Sequence, residues 1–237
     1  MNSLPQCHAP FKRMHILFAN IWCLNPRLPE ALLRLQAENA DVVVLAELPE
    51  CDVELAAETF KAYPHQQVIV PNSVGSLAVY SKFPITQFEE LRFGLLANRP
   101  QGRFTIDYQG GFELFAVHTS APFTVPNRNR RNRQIEKLAE LIKAESKPVI
   151  AVGDFNCSHR SKALRPLTEN IDLHEGRTGQ KIAPSWPAGF CFWSIDHTFT
   201  VITSKCSPLK LADSSTPIIA PSRRTSRSQI HNSAFAV

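Results

Sequence analysis

Long apolar runs are missing from this 237-residue sequence. No stretch approaches the roughly 20 consecutive apolar residues that cross a bilayer, so no membrane span is expected. Paired cysteines are missing too. Cys7, Cys23, Cys51, Cys157, Cys191 and Cys206 are widely scattered, with no CxxC and no repeated spacing. That argues against a disulfide framework and for reduced thiols in a cytoplasmic setting. A leader peptide is not evident: in MNSLPQCHAPFKRMHILFANIWC a basic pair precedes an apolar stretch, but the stretch is short, ends at Asn20 and lacks a small-residue cleavage site. It reads as a first strand. There are no internal repeats and no linker-like segment, so one domain over residues 1–237 is expected, with a C-terminal region from about 203 of different, Ser/Thr/Pro/Arg-rich character.

What is present suits a globular protein. Hydrophobic residues make up 43%, too many for a disordered chain. The net charge of +5 and pI near 9 favour polyanionic partners. Much of the excess sits in two clusters, Arg128, Arg130, Arg131 and Arg133, and then Arg223, Arg224 and Arg227, which read as solvated surface.

Strand-like apolar runs alternate with helical patterns. HILFANIW (15–22) suits a buried strand. PEALLRLQAENA follows with a helical stripe of Leu32, Leu33, Leu35 and Ala40, and Pro29 suits its first turn. DVVVLAEL is a β-branched run bounded by Asp41 and Pro49. QQVIV and SLAVYS flank the turn signal PNSVG, and Phe83-Pro84 closes the second of them. GRFTIDYQGGFELFAVHT reads as a hairpin turning at Gly110-Gly111. NRNRRNRQIEKLAELIKAES sets Ile135, Leu138, Leu141 and Ile142 on one helix face, and KPVIAVGDFN is again a buried strand running into a loop. This order predicts an α/β fold, a sandwich with sheets inside and helices outside. In the C-terminal region only SAFAV at the very end reads as a strand.

Chemistry is expected where apolar strands end in polar residues, because neighbouring strands converge their ends on one place. Asn20 interrupts FAN, and Glu47 follows five apolar residues in VVVLAEL. A lone Glu after a strand is usually only solvent-facing. In VGDFN, Asp154 and Asn156 are two apart, so on an extended segment they point one way while Phe155 points to the core; an Asx-type turn is the competing explanation. In WSIDHTFTV, Asp196 and His197 lie within a large apolar run and, being adjacent, face opposite ways. His118 closes LFAVH just before a Ser/Pro loop.

Taken in order, Asn20 in FANIW, Glu47 in LAELPE, GSLAVYSKFPI, His118 in AVHTSAP, GDFN and SIDHTF resemble the endonuclease/exonuclease/phosphatase superfamily over roughly residues 14 to 200. RNRQIEKLAEL before PVIAVGDFN, and PSWPAG before SIDH, look most like a bacterial branch of undefined substrate. The resemblance implies a four-layer α/β/β/α sandwich with two mostly antiparallel central sheets. It also implies a magnesium site, with manganese as a substitute, anchored by Glu47 with Asn20 close to the metal or phosphate. Asp154 would orient or deprotonate the attacking water, and Asn156 would help hold the phosphate. His118 would bind a phosphate oxygen or assist the leaving group, and Asp196 would orient a second histidine. The implied partner is a nucleic acid or a small phosphate ester, with a monomer as the default state.

The family's closing Ser-Asp-His motif is altered. In ADSSTPIIA the His position holds Ser215. In SQIHNSAFAV, His231 precedes a final strand but Ile230 stands for the usual Asp. His231 is the preferred equivalent. Three functions follow: a metal-dependent phosphodiesterase of nuclease type leads, followed by a phosphatase of an inositol phosphate, phospholipid or other small ester. The third is a degenerate member that binds nucleic acid or protein without catalysis.

Overall fold

A computed structural model describes residues 14–70, 75–93, 99–169, 171, 174–175, 196–201 and 231–236. The elements run β1 (His15–Asn20), α1 (Leu28–Ala37), β2 (Val42–Leu48), α2 (Val53–Thr59), β3 (His65–Ile69), β4 (Ser76–Ser81), β5 (Ile85–Glu90), β6 (Gly102–Ile106), β7 (Phe112–His118), α3 (Val125–Ala144), β8 (Val149–Asp154), α4 (Arg165–Thr168), β9 (His174–Glu175), β10 (Asp196–Val201) and β11 (His231–Ala236).

They form two sheets, ordered β11-β1-β2-β4-β3 and β5-β6-β7-β8-β10-β9. In each, one pair is parallel, β1 with β2 and β7 with β8, and the remaining pairings are antiparallel. The parallel pairs are the ones joined by crossover helices α1 and α3, since a short turn cannot bring two strands parallel.

Strand alternation builds three apolar layers. Ile16, Phe18, Val42, Val44 and Ala46 of the first sheet meet Phe104, Ile106, Leu114, Ala116, Ile150 and Val152 of the second. The intervening residues Leu17, Ala19, Val43 and Leu45 turn outward onto Leu28, Leu32 and Leu35 of α1 and Ala56 of α2. Across the molecule, Phe115, Val117, Val149 and Ala151 cover Ile135, Leu138 and Ile142 of α3 and Leu167 of α4. The result is the α/β/β/α sandwich. Burial on both faces is why β1, β2 and β8 read as unbroken apolar runs.

Two readings need correction. Leu33 is exposed, and the buried stripe of α1 is Leu28, Ala31, Leu32 and Leu35, the positions that share one side of a 3.6-residue helix. Arg131 is not solvated surface: it is buried among the inward residues of α3, while Arg128 and Arg133 stay exposed. The helix begins two residues earlier than the pattern suggested because Thr124 caps it, its hydroxyl accepting from Asn127 N at 3.3 Å. Helix α2 and strand β5 had no clear sequence signal. The second arginine cluster (223, 224 and 227) lies outside the described residues. Among the described residues, no helix is long and apolar enough to cross a membrane.

Candidate active site at the strand ends

The parallel pairs point their C-terminal ends the same way, β1 ending at Asn20 and β2 just past Glu47, β7 ending at His118 and β8 at Asp154. Side chains from the two sheets meet there. Asn20 Nδ2 donates to Glu47 Oε1 at 3.1 Å and to Asp154 Oδ2 at 3.2 Å, tying the two carboxylates together across the sandwich. Its own Oδ1 accepts from Trp22 N at 3.1 Å, which fixes the amide's orientation.

Glu47 is aimed by an irregularity. The β2–β4 register shifts between Leu45 and Leu48, and Glu47 has φ +60°. Bulges commonly re-aim a side chain in this way. Gly75 packs on the spot: a Cβ there would fall 2.5 Å from Glu47 Cα. Of the described non-glycine residues with positive φ, Asn39 ends a helix and Gln109 sits in the hairpin turn. The other three, Trp22, Glu47 and Asn156, all border this site. Backbone strain of about 1–3 kcal/mol per residue persists only where the surroundings enforce it, and it collects at functional sites.

Arg99, which the sequence reading did not single out, completes the group. Its Nη1 donates to Glu47 Oε1 at 2.9 Å and contacts His118 Nε2, which lies 3.4 Å from the same carboxylate oxygen. Burial alone would raise the Glu47 pKa. The hydrogen bond and charge from His118, the Arg99 guanidinium and the Asn20 amide outweigh it and hold the carboxyl well below the ordinary range. For His118, complete burial and the neighbouring guanidinium lower the pKa, against weaker upward pulls from Glu47 and Asp154. Among the described residues, His118 Nδ1 is buried without a hydrogen-bond partner.

The GDFN segment departs from a simple extended strand. Asp154 Oδ1 accepts from Asn156 N at 2.8 Å, an Asx-type turn, and Asn156 has φ +49°. Its Nδ2 donates to Thr119 O at 3.0 Å. Phe155 points into the core as expected. Arg131 Nη1 donates to Asn156 O at 2.7 Å, so the buried arginine of α3 braces this turn. Gly153 is required behind it, because a Cβ there would fall 1.9 Å from Val117 O on the neighbouring strand.

The C-terminal strands bring their first residues to the same end. Asp196 pairs in register with Asp154, and His231 with Asn20. His197 is buried, its Nε2 2.7 Å from Cys157 O, facing Phe155. Ser215 lies outside the described residues.

A family model described as "Endonuclease/Exonuclease/phosphatase family" matches residues 17–208. The chain belongs to this family. Its members are phosphoesterases, and the expected sandwich is the fold of its structural neighbours. D. rerio TDP2 complexed with single strand DNA product superposes with a TM-score of 0.67 at 16% identity, over 84% of this chain and 87% of that one. Sphingomyelinase C from Streptomyces griseocarneus gives 0.64 at 16% identity, over 80% and 84%. Beta toxin from Staphylococcus aureus (F277A, P278A mutant) with bound magnesium ions gives 0.64 at 16%, over 80% and 84%. A search of curated proteins finds no match.

The donor set suits the divalent metal that such enzymes use. Among the described residues no three His, Cys, Asp or Glu side chains gather into a metal cluster. One ionised, partly open carboxylate beside a second carboxylate is an all-oxygen arrangement, and magnesium commonly binds through one or two carboxylates while keeping several waters. Glu47 Oε1 carries the contacts to Asn20 and Arg99; among the described residues, Oε2 takes no hydrogen bond.

Proposed function

We propose that this protein is a magnesium-dependent hydrolase of phosphate esters, a phosphodiesterase that uses water as nucleophile. The observation that carries this reading is the Glu47–Asn20–Asp154 bridge, which holds two carboxylates from different sheets at one end of the sandwich. Glu47 would hold the metal with Asn20 beside it, and the metal would supply Lewis-acid stabilisation of the phosphate's growing charge. Asp154 Oδ2 faces the site and is the carboxylate placed to orient and deprotonate water. The turn at Asn156 N keeps its other oxygen occupied.

His118 is wholly enclosed, whereas Arg99 is partly open. We therefore assign phosphate contact to Arg99 and give His118 the task of holding Arg99 and Glu47 in place. Asn156 remains the candidate for a further phosphate contact. Asp196 and His231, at the starts of β10 and β11, would serve as an orienting pair in place of the usual closing motif. A nucleic-acid strand and a phospholipid offer this centre the same diester, and the basic chain suits either. Cytoplasmic location and a monomeric state complete the reading.

The test is hydrolysis of DNA, RNA and bis(p-nitrophenyl) phosphate with magnesium and with EDTA. Turnover should require the metal. Glu47→Gln should raise the magnesium needed, and Asp154→Asn should lower kcat by about 10²- to 10⁴-fold, the scale of a lost general base. Wild-type protein that hydrolyses none of the three at any magnesium concentration would favour the binding-only alternative.

A further inference from the structure

Helix α3 carries two polar side chains on its buried stripe. Arg131 is 7% exposed and Gln134 1%, and a spacing of three makes them neighbours on the face that also holds Ile135 and Leu138. A guanidinium taken out of water is costly unless its donors are met, and an apolar side chain of similar size commonly serves stability as well or better. Among the described residues Arg131 has no carboxylate partner; its acceptors are the Asn156 carbonyl and the Asn132 amide oxygen. Packing alone is therefore a poor account of this arginine, and what it holds is a better one.

The two side chains hold the two loops that leave the second sheet at the site. Those loops are stitched to each other, Thr119 N donating to Asp154 O at 2.9 Å and Asn156 Nδ2 to Thr119 O at 3.0 Å. From behind, Gln134 Oε1 accepts from Ser120 N at 2.9 Å, a bond that involves no atom of the Asp154–Asn156 turn. Arg131 grips the turn itself. Its Nε and Nη2 both donate to Asn132 Oδ1, at 3.1 and 2.8 Å, which fixes the plane of the guanidinium and aims Nη1 at Asn156 O, 2.7 Å away. Asn156 is the residue whose N–H fixes Asp154 Oδ1 at 2.8 Å, and it does so at φ +49°, a conformation that persists because its surroundings enforce it. Releasing its carbonyl frees the turn to relax and the carboxylate to rotate, taking Oδ2 away from Asn20.

We propose that Arg131 is a positioning residue of the reaction: from the buried face of α3 it holds the Asn156 turn that aims the Asp154 carboxylate. Its part in turnover rests on the phosphoesterase reading, in which Asp154 orients and deprotonates water. Its grip on the turn does not depend on turnover.

The test is steady-state kinetics of the full chain on bis(p-nitrophenyl) phosphate. Arg131→Met keeps the apolar stem and removes the donors; it should lower kcat about 10²-fold, the scale of a misplacement of about 1 Å, with KM and the magnesium requirement as in wild type. Arg131→Lys, which can still reach Asn156 O with one donor, should recover most of that rate. In an Asp154→Asn background Arg131→Met should cost no further rate, because both changes act through one carboxylate. Gln134→Met is the structural control: it strips a bond from the same helix face, so the melting temperature should fall while kcat stays near the wild-type value. Should Arg131→Met fail to fold, Asn132→Ala decides, unseating the guanidinium from a half-buried position with a severalfold fall in kcat expected. Wild-type kcat in the folded variant, an undiminished loss in the Asp154→Asn background, or an equal loss in Gln134→Met would overturn the proposal. If the wild-type protein hydrolyses no diester, the enzymatic reading falls instead, and a crystal structure of the same variant decides the positioning. Asp154 Oδ1 should then part from Asn156 N with the sandwich intact; an unmoved turn would overturn the proposal.

Discussion

At the scale of single residues, the strand-end signal carried most of the site. Asn20, Glu47, His118 and Asp154 each close an apolar run, and a polar group in that position must go to solvent or to a partner at the sheet edge. Arg99 gave no such signal. It stands in LLANRPQG, between strands, and its meaning comes from which carboxylate the chain brings to it. Arg131 was legible and missed. It lies four residues before Ile135 and seven before Leu138, on the buried stripe of α3, so helix phase separates it from the exposed arginines around it. The Arg99 assignment has a direct consequence. Arg99→Gln should lower kcat by about 10²-fold, the scale of one lost donor to a developing oxyanion, with Arg99→Lys recovering part of it. Steady-state kinetics on a soluble diester check this, alongside the melting temperature. Wild-type kcat in Arg99→Gln would return the phosphate contact to another group.

At the scale of elements, the β6–β7 hairpin is stapled by a buried carboxylate. Glu113 accepts from Arg103 Nε at 3.1 Å, Lys147 Nζ at 3.2 Å and Thr105 Oγ1 at 3.0 Å. Burial works against its charge, but these donors outweigh burial and lower its pKa below the ordinary 4.5. With the folded value depressed, the stabilisation is fully present above the unfolded value and is lost as pH falls through the folded one. Glu113→Gln should therefore cost about 2 kcal/mol near pH 7, for a hydrogen-bonded charge removed from a mostly buried network whose cations keep other partners. Denaturant unfolding across pH should show the gap to wild type closing below about pH 4.5. A gap that stays constant to pH 2 would deny the carboxylate its role. The hairpin itself was legible from Gly110-Gly111, as was the strand pair around PNSVG. Helix α2 was not, because its seven residues bury only Ala56 and so leave almost no apolar period to read.

At the scale of the whole molecule, the layered sandwich follows from strand burial: runs such as VVVLA, apolar on every residue, require cover on both faces, and the helical stripes supply it. Which strands neighbour one another was beyond local pattern. The position of β11 shows this best. Sequence offered Ser215 and His231 for one role, and register sets His231 opposite Asn20 at the site's edge. Such long-range pairing depends on the energetics of the whole sheet, which no local period encodes.

The central claim is that a divalent ion sits on Glu47 beside Asp154 at these converging strand ends. Anomalous diffraction from a crystal grown with manganese tests it most directly. We expect a single strong peak against the Glu47 carboxylate, close to Asn20, that disappears in Glu47→Gln. Manganese bound elsewhere, or a peak unchanged by that substitution, would contradict it.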